Sequence, residues 1–138
     1  MPQFYLNWLP IIGAAIVSTA LGAAWYSPTL FGKAWLKAMG WSHEELESRK
    51  KGMKRTYALG FVGALVMAAT LQHFVYFTRA ETAALGAKTG FWLWLGFIAP
   101  VFLAAYLWEG KPVKLLKINA GYYLVSLLVM GALLAVWR

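Results

Sequence analysis

The polar residues that interrupt long apolar stretches are the first candidates for chemistry in this chain. His73 could accept a proton or ligate a metal or haem, because imidazole titrates near neutral pH and is a common metal ligand. No carboxylate lies in the same apolar stretch, and the other histidine, His43, belongs to a different segment. A functional histidine normally has an orienting hydrogen-bond partner. The sequence therefore favours a structural, hydrogen-bonded role for His73.

Four further polar residues of the apolar stretches can form hydrogen bonds between helices. Such bonds between membrane helices contribute roughly 0.6–2 kcal/mol each. We therefore interpret these side chains as donors and acceptors that join neighbouring helices. They are Ser18, Gln72, Asn119 and Tyr123.

The residue combinations that catalysis in a membrane requires are missing from the sequence. The chain has no cysteine and no aspartate, which excludes disulfides, thiolate metal sites and a cysteine nucleophile. The glycines of residues 60–63 have no following lysine that would hold a phosphate. We expect no enzymatic activity, no cofactor and no metal site.

Four apolar stretches of bilayer length carry these polar residues. Hydrophobic residues make up 61% of the chain and charged residues only 13%, against about 25% in soluble domains. A spanning helix needs about 20 apolar residues, and it satisfies its own backbone hydrogen bonds in lipid. The sequence predicts an all-α membrane protein, with residues 1–138 as one domain. The predicted spans are residues 8–27, 57–78, 89–108 and 118–137.

Basic residues accumulate on one side of the predicted spans. The loop of residues 28–56 carries seven and the connection after the third span carries three, whereas the other side carries Arg79, Lys88 and Arg138. Because Lys and Arg concentrate in cytoplasmic loops, we expect the loop of residues 28–56 in the cytoplasm and both termini outside. No basic residue precedes Lys33, which favours a retained first span over a cleaved signal peptide. The net charge of +8 favours anionic lipid headgroups over nucleic acid as the partner.

An aromatic motif follows the first span at its basic end. Trp25 and Tyr26 are residue types typical of the membrane–water interface, and Pro28 ends the helix. We interpret the motif as an interfacial anchor. Its members are Trp25, Tyr26, Ser27, Pro28, Phe31, Gly32 and Trp35.

Residues 30–39 predict a short amphipathic helix that lies on the membrane surface between the first and second spans. Its apolar residues, including Trp35, recur at helical spacing, while Lys33 and Lys37 lie on another face. Gly40 is the predicted C-terminal stop.

Three further local signals predict helix boundaries. Ser42 and Glu45 form a capping box that opens a second polar helix through about Arg55. Gly52 can break that helix before the second span. Pro100 predicts a break in the third span.

Small residues at four-residue spacing predict close helix packing and self-association. One such ridge can serve the bundle of a single chain while the other contacts a second copy, which predicts a homo-oligomer. The two ridges are Ala14–Ser18–Gly22 and Gly60–Ala64–Ala68.

Two long segments of the chain resemble a known family. They are "GAAWYSPTLFGKAW" at the end of the first span and "INAGYYLVSLLVMGALLAVW" in the fourth. Together with "NWL" before the first span, they resemble small bacterial integral membrane proteins of domain of unknown function seventeen sixty-one. The resemblance implies a four-helix bacterial membrane protein, and it implies no functional residues, because the family has no assigned function.

We predict a non-enzymatic membrane protein that binds a partner or assembles as a homo-oligomer. The alternative is a small uncoupled permeation or efflux protein with an aromatic-lined path. Proton coupling is disfavoured because Glu109 is the only carboxylate candidate, and it lies beside Lys111 at the end of the third span. A third possibility is an enzyme that acts on a lipid or prenyl substrate at the cytoplasmic membrane face through His43, Glu44 or Glu47.

Overall fold

The structure, a computed structural model, describes residues 4–137, so Arg138 of the charge count lies outside it. These described residues contain four helical segments that are long and apolar enough to cross a membrane, which confirms the all-α fold with four spans. The chain is therefore a multi-pass membrane protein. The spans are Trp8–Trp25, Met53–Phe77, Ala83–Glu109 and Val113–Val136.

Seven α-helices and one π-helical stretch make up the described chain. The π-helical stretch Trp94–Ile98 lies inside the third span, between α5 and α6. The α-helices are α1 Trp8–Trp25, α2 Gly32–Met39, α3 His43–Lys50, α4 Met53–Phe77, α5 Ala83–Leu93, α6 Ala99–Glu109 and α7 Val113–Val136.

The helical spans differ from the predicted apolar stretches mainly at their beginnings. The third begins at Ala83, where the Thr82 hydroxyl accepts a hydrogen bond from the Leu85 amide at 3.2 Å. The fourth begins at Val113, directly after Pro112. Hydropathy gave shorter spans because lysines occur in the first turns of these helices, and long lysine side chains reach the interface from a helix end.

The third span is interrupted at the position that Pro100 predicts. Proline has no amide proton, so the helix cannot keep its regular hydrogen-bond ladder there. The preceding turn widens, and the Ala99 amide bonds to the carbonyl of Trp94, five residues earlier. The interruption is therefore a π-helical turn that keeps the helix continuous.

Helix α7 is the centre of the bundle, since it packs against α1, α2, α4, α5 and α6. In its most apolar stretch, almost half of the residues are buried, whereas almost none are buried in the corresponding stretch of the third span. The core around α7 combines its own Met130 and Leu134 with Ile11 of α1 and Leu71 of α4. The position of α7 decides which side chains of the other spans face inward.

Helices α5 and α7 are in backbone contact. A Cβ atom added to Gly86 would overlap the carbonyl oxygen of Gly131 and lie 2.6 Å from the Cβ of Ala135. A Cβ added to Gly90 would overlap the carbonyl oxygen of Leu127 in the same way. Glycines four residues apart allow this approach. The two predicted small-residue ridges did not include this seam.

The predicted ridge on α1 is used within the chain. Ala14 and Ser18 are buried, and a Cβ on Gly22 would lie 3.0 Å from the hydroxyl of Tyr122 on α7.

The predicted ridge on α4 is divided between the two ends of that helix. Ala68 is fully buried, while Gly60 has no atom within 4 Å of an added Cβ. All residues from 51 to 60 are exposed, so the first turns of α4 stand away from the bundle.

The polar connection between the first two spans forms two short helices. Gly40 ends α2 with a φ of 66°, as predicted, although α2 begins at Gly32. The Ser42 hydroxyl caps α3 by accepting a hydrogen bond from the Glu45 amide at 3.2 Å. Helix α3 ends at Lys50 rather than near residue 55, because the chain breaks around Gly52 before α4 begins.

Candidate functional site

A cavity of about 800 Å³ opens at the basic end of the bundle, and we call it the basic-end cavity. It lies between α2, the first turns of α4 and the α6–α7 hairpin. The cavity forms because the buried residues of α4 begin only at Ala68, so the other half of that helix leaves a gap beside α7. Its polar and aromatic lining residues include Tyr26, Lys33, Trp35, Thr56, Phe102, Lys111, Asn119 and Tyr123.

Two exposed lysines provide positive charge in the lining of the basic-end cavity. Lys33 comes from α2 and Lys111 from the turn between α6 and α7. Within residues 4–137, the single ion pair joins Lys50 to Glu47 at 3.1 Å, so neither cavity lysine is paired with a carboxylate. The lining contains no acidic residue. The charge of both ammonium groups is thus available to an anion.

Asn119 supplies a hydrogen-bond donor to the cavity. The hydroxyl of Tyr26 donates to Asn119 Oδ1 at 2.7 Å, and this bond orients the amide. Nδ2 of Asn119 has no hydrogen-bond partner among the described residues, although the residue is half-buried. An amide NH2 group carries two donors. Asn119 can therefore donate to an acceptor on a bound molecule.

Tyr123 contributes both an aromatic wall and a hydroxyl. Its ring stacks on Phe102 of α6, with centroids 5.7 Å apart and planes inclined by 26°. The hydroxyl makes no hydrogen bond to the part of the chain that the structure describes. On the opposite wall, the Trp35 ring lies edge-on to Tyr26 with centroids 5.9 Å apart. The cavity thus combines cations, neutral donors and apolar aromatic walls.

Two tryptophans fix the part of α7 that carries Asn119. The indole Nε1 of Trp25 donates to the carbonyl of Ile118 at 3.0 Å, and that of Trp94 donates to the carbonyl of Ala120 at 2.8 Å. Asn119, between them, accepts the hydrogen bond from the Tyr26 hydroxyl. Three consecutive residues of α7 are therefore held by aromatic side chains of the first and third spans. The aromatic motif predicted an interfacial role for Trp25 and did not indicate this contact.

The remaining motif residues form the turn that brings α2 over α7. The amide of Gly32 donates to the carbonyl of Ser27 at 2.9 Å, and a Cβ on Gly32 would lie 2.7 Å from that oxygen. The Phe31 ring packs on Trp25 with centroids 4.7 Å apart. Pro28 is exposed and lines the cavity. The motif therefore builds one wall of the cavity, with glycine required for the close turn.

Ser18 lies away from the cavity and joins α1 to α7. Its hydroxyl is 2.7 Å from that of Ser126, and the Tyr122 hydroxyl donates to its carbonyl at 2.8 Å. Both serines are buried.

Gln72 and His73 lie at the opposite end of the bundle. The Gln72 amide accepts from the Asn7 amide at 3.0 Å and donates to the Asn7 carbonyl at 3.1 Å, so it holds the segment before α1. Nδ1 of His73 is 3.0 Å from the carbonyl of Ala69, and its ring packs on Phe4 with centroids 4.2 Å apart. The described residues contain no group of three or more His, Cys, Asp or Glu that could hold a metal ion.

The chain matches the model of a family described as a protein of unknown function (DUF1761) over residues 9–135. The chain belongs to this family. The matched region includes every helix that lines the basic-end cavity. No curated protein and no solved structure matches this DUF1761 chain.

Sequence reasoning found Asn119 and Tyr123 but not their setting. Leu115, Asn119 and Tyr123 recur at four-residue spacing, and all three line the cavity. This spacing was the available signal for a single stripe on α7 that carries both polar residues. Lys111 continues the spacing but precedes the start of α7. Phe102 carried no such signal, because it faces the cavity only through the packing of the α6–α7 hairpin.

Proposed function

We propose that this DUF1761 protein binds an amphiphilic molecule in the basic-end cavity and catalyses no reaction on it. The observation that carries the proposal is the combination of two unpaired lysines, neutral hydrogen-bond donors and apolar walls in one cavity of about 800 Å³. Ligand sites are typically apolar cavities with a few convergent polar groups. An amphiphile matches all three kinds of surface.

The non-catalytic part of the proposal is supported by the chemistry of the lining. General acid–base catalysis needs a positioned group that titrates near the working pH, and nucleophilic catalysis needs an activated nucleophile. The described lining contains no histidine, carboxylate or cysteine. Tyrosine, asparagine and lysine there suit recognition.

We infer that the protein acts in the bacterial inner membrane as a homo-oligomer, with both termini outside. The orientation is supported by the ten lysines and arginines in residues 28–56 and 111–117. Self-association is supported by the third span, since almost none of its residues are buried and most of its surface is free to contact a second chain. Crosslinking in native membranes tests it, and a purely monomeric pattern contradicts it.

Retention of a ligand through purification tests the binding function. The protein is extracted in a mild detergent and analysed by native mass spectrometry. We expect one bound molecule per chain in the wild type. Thr56→Trp should remove it, because Thr56 lines the cavity on the exposed first turns of α4, where an indole fills space without disturbing packing.

Leu59→Trp is the matched control for this experiment. Leu59 lies three residues after Thr56 on the same exposed first turns of α4, and 59% of its surface is exposed. It lines neither the basic-end cavity nor the apolar surface farther along α4. Loss of the ligand in both variants, or no retained molecule in the wild type, contradicts the proposed function.

A further inference from the structure

We propose that the bound amphiphile is a glycerophospholipid with an anionic headgroup, drawn from the membrane leaflet at the basic end. This inference rests on the amphiphile-binding function proposed above and adds the chemical class of the ligand. It follows from how charge, hydrogen-bond donors and apolar surface are ordered along the helices.

The charged part of the ligand is indicated by Lys33 and Lys111. They belong to separate elements, both are exposed, and neither is neutralised by a carboxylate within residues 4–137. Glu109 lines the neighbouring α6–α7 cavity together with Lys111, but it forms no ion pair with that lysine and is not part of the basic-end lining. Two ammonium groups on one cavity complement a phosphate, which is the charged group that phospholipids present at this depth.

The neutral donors, Asn119 and Tyr123, lie deeper in the bundle than Lys111, which precedes the first residue of α7. At about 1.5 Å of rise per residue, Asn119 is roughly 9 Å and Tyr123 roughly 15 Å along the helix from Val113. The polar region of one leaflet is only about 5–8 Å thick. The amide and the phenol are therefore placed at and below the level of the lipid ester groups, whose carbonyl oxygens accept hydrogen bonds.

An apolar groove lies farther along α4, the third span and α7, and it shares no lining residue with the basic-end cavity. This groove, of about 450 Å³, is lined by Gly63 and Val66 of α4, Phe97 and Ile98 of the π-helical stretch, and Leu127 of α7. The distance along α7 from residue 119 to residue 127 is about 12 Å. Half of the hydrocarbon core is about 15 Å thick. An acyl chain of a lipid whose headgroup lies in the basic-end cavity is therefore long enough to reach this groove near the middle of the bilayer.

Lipid titration tests the headgroup. Delipidated protein is mixed with phosphatidylglycerol or phosphatidylcholine of identical acyl chains, and bound lipid is counted by native mass spectrometry. We expect the wild type to prefer phosphatidylglycerol. The double variant Lys33→Gln/Lys111→Gln should weaken phosphatidylglycerol binding at least about tenfold and leave phosphatidylcholine binding unchanged, because each lysine near an anionic group contributes to the attraction.

The double variant Lys37→Gln/Lys114→Gln removes the same charge from the same end without touching the cavity lining. It should retain the preference for phosphatidylglycerol. Equal binding of the two lipids by the wild type, or an equal loss in both double variants, overturns the anionic-phospholipid inference and leaves amphiphile binding standing. Absence of any retained or added lipid overturns both.

The acyl groove is tested by Gly63→Phe. An added Cβ on Gly63 meets no atom within 4 Å, so the phenyl ring enters the groove without a clash. Val62, the adjacent residue, is exposed and outside the groove, which makes Val62→Phe the control. We expect Gly63→Phe alone to weaken binding of long-chain phosphatidylglycerol, with short-chain lipid unaffected. Equal binding of long-chain lipid by both variants contradicts the assignment of the groove.

Discussion

At the scale of single residues, adjacent side chains of α7 have different roles. Tyr122 points its hydroxyl at α1, where it donates to the Ser18 carbonyl at 2.8 Å. Tyr123, the next residue, lines the basic-end cavity and makes no hydrogen bond to described parts of the chain. A helix turns by about 100° per residue, so neighbours reach different environments. Tyr122 therefore joins two helices of the bundle, whereas Tyr123 faces the candidate site.

We expect Tyr122→Phe to lower the free energy of unfolding by about 1 kcal/mol, since it removes the hydroxyl that bonds both the carbonyl and the hydroxyl of Ser18. Tyr123→Phe should change it by no more than about 0.5 kcal/mol, while weakening lipid binding. Reversible unfolding in mixed micelles measures the first quantity, and native mass spectrometry the second. The opposite ranking of the two variants in the unfolding experiment would show that Tyr122 is not the structural member of the pair.

Individual polar residues were predictable as hydrogen-bonding groups, but their partners were not. Gln72 was expected to bond another helix, and it instead holds the backbone of Asn7 with two bonds. Asn119 was visible as an expensive polar residue in lipid. Its pairing with Tyr26 depends on the turn at Gly32 and the packing of α1 on α7, which one sequence does not display.

At the scale of the helices, the α5–α7 seam decides where the third span lies. Because Gly86 and Gly131 allow backbone contact, the third span packs tightly on α7 near the end opposite the basic one. The first turns of α4, in contrast, are exposed and contribute no buried residue. The close α5–α7 contact thus lies toward one end of the bundle, while the basic-end cavity, the candidate site, opens at the other.

Gly86→Ala should destabilise the bundle by about 1–3 kcal/mol, because the new Cβ meets a backbone carbonyl that cannot yield easily. Gly60→Ala is the control, since it meets no atom and removes a residue of poor helix propensity. It should be neutral or stabilising by up to about 1 kcal/mol. The midpoints of thermal unfolding in detergent compare them. A loss of the same size in both variants would mean that the close seam does not exist.

The helices themselves were largely predictable, and their arrangement was not. Hydropathy located four spans, Gly40 and Ser42 marked two boundaries, and Pro100 marked the interruption. All of these are local signals. The gap beside α4 is not local, because it follows from which half of α4 contacts α1 and α7. The apolar residues around α7 provide little contrast that would indicate its central position.

At the scale of the whole molecule, most of the basic residues lie at the same end of the bundle as the cavity. Ten lysines and arginines belong to residues 28–56 and 111–117, and the cavity opens at the end of the bundle where these segments lie. The positive-inside rule assigns that end to the cytoplasm. The ligand would then come from the inner leaflet, where it would meet Lys33 and Lys111.

Single cysteines test this orientation, because the chain has none of its own. Ser48 is exposed at the basic end and Glu81 at the other. In intact cells, an impermeant maleimide should label Glu81→Cys and leave Ser48→Cys unlabelled until the membrane is opened. Labelling of Ser48→Cys alone in intact cells would reverse the orientation.

The most direct test of lipid occupancy is photolabelling in native membranes with a phosphatidylglycerol that carries a photoreactive acyl chain. Mass spectrometry then maps the adducts. We expect adducts concentrated on half-buried residues that line the cavity and the groove, such as Phe102, Tyr123 and Ile98, and lost from the cavity residues in Thr56→Trp. Adducts spread over outward-facing residues such as Trp92 and Val101 in proportion to their exposure, and unchanged in that variant, would contradict it.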